Sequence, residues 1–164
     1  MADSPIETFW NAMSTLWGEI IDGPAEQEAW MLNPRDLGLL RSLDLLTASA
    51  ASVPHANGSS IASHVHHLRY GLHLLNQWSE GKDAFTTTEF AASWHRDTVT
   101  EAEWRTLREQ LRAEAERWTG TLRHPRPVTV SELTGILASI AHLAYHLGAI
   151  RQMDRTTRGP QARD

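Results

Sequence analysis

The sequence predicts an all-α protein: a four-helix bundle with one additional, irregular helical segment. Three observations predict it. In four long segments apolar residues recur at intervals of three and four, which gathers them on one helical face. Three of these segments open with Ser or Thr followed three residues later by Glu, a capping box that satisfies free amides at a helix start. No segment alternates apolar and polar residues long enough to be a strand, and Val128-Thr129-Val130 is too short to count.

The elements follow in order. Ser4 caps the first helix, Pro5 suits its first position, and Glu7 completes the box. Ile6, Phe9, Trp10, Met13, Leu16, Trp17 and Ile20 make its apolar stripe, and Gly23-Pro24 ends it. Residues 24–34 read as an irregular connection containing Trp30. Pro34 to about Ser52 is the weaker helical region, periodic at Leu37, Leu40, Leu43 and Leu46 but weakened at its start by Gly38. Ser52 to Gly58 is loop chemistry.

Ser59 or Ser60 caps the next helix, which runs to about Glu80 with Ile61, Val65, Leu68, Leu72 and Leu75 as its seam. Lys82 to Asp97 holds no sustained period and carries Phe85, Phe90 and Trp94. It reads as a long loop with room for one short helical turn, and such loops are often functional. Thr100 and Glu103 box the start of a helix whose apolar face is Trp104, Leu107, Leu111, Ala115 and Trp118 and whose other face is solvated Arg and Glu. After the rigid Arg123-His-Pro-Arg-Pro127 connector, Thr129 and Glu132 open the last and most apolar helix, to about Met153, with Leu133, Ile136, Leu137, Ile140, Leu143, Leu147 and Ile150. Residues 1–155 are expected to form a single domain and 156–164 a polar, frayed tail.

Bulk properties narrow the function. The 164 residues suit one domain with a full core, at 41% hydrophobic and 21% charged. A formal net charge of −5 with no basic stripe argues against nucleic acid as the main partner. The absence of cysteine excludes disulfides, thiolate catalysis by the protein and cysteine-based zinc sites. The polar, acidic N-terminus is unlike a signal peptide, and no apolar run approaches the roughly 18 residues of a membrane span, so a cytoplasmic protein is expected. Seven tryptophans among twelve aromatic residues suit core packing first and an indole-lined apolar pocket second.

The histidines carry the chemistry. Of nine, His55, His95 and His124 lie in loops, and His73 falls on the polar side of its helix. His142 and His146 are four apart in the last helix, stacked on one face about 6 Å apart along the axis, where two imidazoles can close on one divalent ion. The helix from Ser60 adds His64, His66 and His67. His66 points away from the seam, His64 sits in the middle of the apolar arc and His67 at its edge, so either of the latter two could face inward. The plain alternative is a set of hydrogen-bonded core histidines. Three neutral imidazoles suit Zn²⁺ or Ni²⁺ better than Mg²⁺ or Ca²⁺. Three protein ligands leave a position open for water, which would ionise near neutral pH, or for a substrate thiol held as thiolate.

Two motifs, Ser60-Ile61-x-x-x-Val65-x-His67-Leu68 and His142-x-x-Tyr145-His146-x-Gly148-x-Ile150, resemble the DinB/YfiT-like superfamily of metal-dependent four-helix-bundle proteins. The resemblance extends over nearly the whole chain in the order and spacing of elements. It implies metal ligation by His67, His142 and His146, with His64 as an alternative ligand or a neighbour behind the ligands. Tyr145, Trp94 and Trp78 are candidate pocket-lining residues. Ala149 stands where the family often has Gln. The resemblance also implies a homodimer and a small-molecule substrate, with water or a low-molecular-weight thiol as the activated nucleophile in a thiol S-transferase or hydrolase type of reaction. The competing expectation is a non-catalytic dimeric helical module that binds a small apolar ligand or a partner protein.

Overall fold

The computed structural model describes residues 4–25, 28–55, 58–86, 88–95 and 97–157. It is all-helical: α1 (Pro5–Asp22), α2 (Leu39–Asp44), α3 (Ala48–Ala51), α4 (Ile61–Ser79), α5 (Glu101–Leu122) and α6 (Val130–Met153), with short 3-10 helices at Phe90–Trp94 and Arg155–Thr157. Each long helix begins where its cap chemistry places it. Ser4, Thr100 and Thr129 accept from the amide three residues on while the Glu at that position accepts from the cap amide. Ser60 makes the same exchange with Ser63, which settles the choice between Ser59 and Ser60.

The weaker region of 34–52 is two short pieces rather than one helix. Residues 45–47 break it, and Thr47 re-caps α3 through the Ala50 amide. Residues 34–38 are not helical, and the chain at Gly38 passes backbone to backbone against Gly23, which leaves no room for a Cβ. The preceding connection is organised from within α1. The Glu19 carboxylate, 4% exposed, accepts from the amides of Trp30, Met31 and Leu32 at 2.6–3.0 Å.

α1 and α4 each pack against both α5 and α6. α4, with its histidines, therefore lies beside α6, with the other two. Four of the seven tryptophans (Trp10, Trp17, Trp104 and Trp118) are almost wholly buried in the core, and each indole N–H has a partner. They donate to Arg126 O, Thr119 Oγ1, Leu46 O and Ser139 Oγ at 2.8–3.1 Å.

Two features add to the sequence reading. The tail does not fray at residue 156: Thr157 is fully buried, its hydroxyl donates to Asp154 O, and its carbonyl accepts from Ser42 Oγ at 3.3 Å. Residues 158–164 lie outside the described residues. Second, α6 is long and apolar enough to cross a membrane by length and composition. His, Ser, Thr and Gly interrupt its apolar residues without adding charge, so no continuous run stands out in the sequence. Its inner residues, among them Ile136, Ile140, Leu143 and Leu147, pack in the core as those of a central helix do.

Candidate metal centre

The helical repeat puts His64 and His67 of α4 and His146 of α6 in the interior, at 4, 7 and 2% exposure, with His142 half-buried one turn before His146. The Nε2 atoms of three rings converge. His142 Nε2 lies 2.9 Å from His146 Nε2 and 3.2 Å from His67 Nε2. With metal–nitrogen bonds of about 2.0–2.1 Å, two ligands sit about 2.9 Å apart at a right angle and about 3.4 Å apart at a tetrahedral one. The two observed spacings fall within that range. Among the described residues, His67, His142 and His146 are the one set of three such side chains whose ligand atoms all lie within 4.8 Å of one another.

The far nitrogens are also committed. His67 Nδ1 meets Ser93 Oγ at 2.7 Å, and that hydroxyl donates onward to Phe90 O at 2.6 Å. The Ser93 carbonyl is itself held by His66 Nδ1 at 2.6 Å. His146 Nδ1 meets His64 Nδ1 at 2.8 Å, and His64 Nε2 meets Ser59 Oγ at 3.3 Å. These contacts suit the tautomers that a ligand set needs. If His67 and His146 present lone pairs at Nε2, their protons sit at Nδ1, donated to Ser93 and His64. His64 then carries its own proton at Nε2, toward Ser59.

Burial is the main cause of a depressed pKa at each of these four rings. It holds His67 at about 4, with further lowering by His142, His64 and His66, and His146 at about 3, with further lowering by His142, His64 and His67. His142 is lowered by burial alone, and His64 by burial and then His55. The rings are thus neutral, the form that ligates.

Both inward candidates of α4 face the interior, in different roles. His67 reaches the common point, whereas His64 stands behind His146, on the side away from the three Nε2 atoms. Trp94 covers the cluster: its ring stacks on His67 at 4.3 Å and lies 5.0 Å from His64 and 5.6 Å from His146. Tyr145 does not line an enclosed pocket. It sits edge-on to His146 at 5.1 Å but is 71% exposed, because the residue before His146 is turned about 100° toward solvent. Trp78 is also away from the histidines, three helical turns beyond His67, packed behind Gly135 and Phe85. Trp78 and Trp118 wall a small separate pocket that includes no histidine. The cavity beside His142 is walled by Leu and Phe. Ser93 was not legible as part of the site: it lies in an aperiodic segment, and its only sequence signal is the length of the 82–97 loop.

Comparison with protein-family models, with curated proteins and with solved structures finds no match to this chain.

Proposed function

We propose that this protein is a divalent-metal-dependent enzyme whose ion is held by Nε2 of His67, His142 and His146. The observation that carries this reading is the convergence of those three nitrogens, with two of the rings anchored at Nδ1 by Ser93 and His64. The all-nitrogen donor set fits Zn²⁺ or Ni²⁺. When bound, such an ion lowers the pKa of a coordinated water or low-molecular-weight thiol, making it a nucleophile toward a small electrophile. The chain's own part is to hold neutral imidazoles in one tautomer and to shield them from solvent with Trp94.

The arrangement of α1, α4, α5 and α6 supports reading the fold as a four-helix bundle of the DinB/YfiT-like kind. The two histidine motifs are the support for that kinship. The reading is tested by metal analysis and thermal melts. Stoichiometric Zn²⁺ or Ni²⁺ is expected, with stabilisation of about 3 kcal/mol at a hundredfold excess over Kd. No retained ion, and no change of Tm with either metal, would sink it.

A second reading is favoured by the outer face of α6. Leu137, Ala141, Tyr145 and Gly148 are exposed there, Leu137 at 48% and Tyr145 at 71%, without a charge among them. A non-catalytic dimeric module that binds an apolar ligand or partner would use this face. Replacing His142 and His146 by Gln discriminates: a module keeps its oligomeric state and ligand binding, whereas the enzyme loses its metal.

A further inference from the structure

A cavity of about 240 Å³ opens directly beside the triad, with the His142 ring as one wall. It runs along the α4–α6 seam past Leu68, Leu72 and Leu75 to Phe85 and Phe90. Two glycines keep it clear. Gly71 leaves the space in front of His142, its nearest neighbour on adding a Cβ being the His142 Cε1 at 3.9 Å. Gly135, farther along the wall, adds no side chain and has Trp78 packed behind it, where a Cβ would come within 3.0 Å of the indole. No lining residue carries a formal charge. The polar groups on the wall are His142, whose Nε2 faces the other histidines, and Ser139, whose hydroxyl already accepts from Trp118 and donates to Ile136 O.

We propose that this groove is the substrate's binding arm: it takes the uncharged aryl or short alkyl part of a small electrophile and delivers the reacting end past His142 to the metal. The inference rests on the metal reading for its link to chemistry. Size and polarity define the class. A cavity of about 150 Å³ holds a benzene ring, and drug-sized ligands take about 300 Å³ or more, so this one suits a single ring with a short chain. An ionised group inside it would lose its hydration with no partner in return, so anionic and cationic analogues are rejected. The polar part of a thiol cosubstrate is excluded on the same ground and must approach from outside the groove.

The test uses three probes that share one ring, 2-phenylethanol, phenylacetate and phenethylammonium, titrated calorimetrically into the full-length protein in chelator. The neutral alcohol should bind at least about tenfold more tightly than either ion, the least that an unpaired buried charge would cost. Gly71→Leu fills the groove and should weaken 2-phenylethanol by a similar factor. Phe85 is 42% exposed, so Phe85→Glu tests the same wall without disturbing the core, and it too should weaken the alcohol. Equal binding of the three probes, or alcohol binding unchanged in both variants, overturns the inference. Zinc titration of the same proteins, freed of chelator, keeps the two readings apart. Zinc bound without 2-phenylethanol overturns the groove alone. 2-Phenylethanol bound selectively without zinc supports the groove as a neutral-ligand site and removes only the metal.

Discussion

Acidifying the metal-free protein from about pH 7 to about pH 5 should cost it much of its stability, and the cost should come from the buried imidazoles. In the folded chain His67 is held at about 4 and His146 at about 3, against an ordinary value of 6.5. The unfolded chain therefore takes up protons that the folded chain refuses, and between those values stability rises with pH. The stabilising difference is fully present above 6.5 and is lost progressively as pH falls toward the folded values. At about pH 5 each ring accounts for about 2 kcal/mol, so the pair accounts for about 4 kcal/mol out of a total of about 5–15 for a domain. Most carboxylates stay ionised over that interval, which isolates the histidines. Urea unfolding in chelator at several pH values measures the effect as a falling midpoint at constant slope. The His67→Gln/His146→Gln double variant should flatten the dependence. A stability that changes by less than about 1 kcal/mol across the window, or an equally steep loss in the double variant, would refute the reasoning that these rings are buried and neutral.

Other outcomes follow from the same structure. Ser93→Ala removes the acceptor for His67 Nδ1–H, and His64→Leu removes the partner of His146. Each should weaken Zn²⁺ by about 10–100-fold in a chelator competition while the apo protein stays folded. Gly38→Ala places a methyl group 2.3 Å from the Gly23 nitrogen, where only backbone movement can relieve it, and should lower stability by more than about 3 kcal/mol in thermal or urea unfolding.

The helices were legible because their signals are local. A Ser or Thr with its Glu three residues on fixes a start within one turn, and α1, α5 and α6 begin where those pairs stand. The break between α2 and α3 was not, since leucine spacing continues through Leu46 while the chain turns at 45–47 to re-cap at Thr47. The pairing of His142 with His146 follows from spacing within one helix. The choice between His64 and His67 does not, because both lie within the buried arc of α4 and only the position of α6 decides which ring reaches which nitrogen. Ser93 depends on the tertiary fold altogether: its neighbours in sequence carry no period, and its importance arises from where the 3-10 helix Phe90–Trp94 crosses α4.

The buried Thr157 has a practical bearing on how the molecule is handled. Trimming the chain back to residue 155, the limit that polarity alone suggests, would pull a stopper from its seat and leave the Ser42 hydroxyl with only its longer contact to Leu37 O. Shortened versions should keep this residue, and a fused tag belongs beyond it.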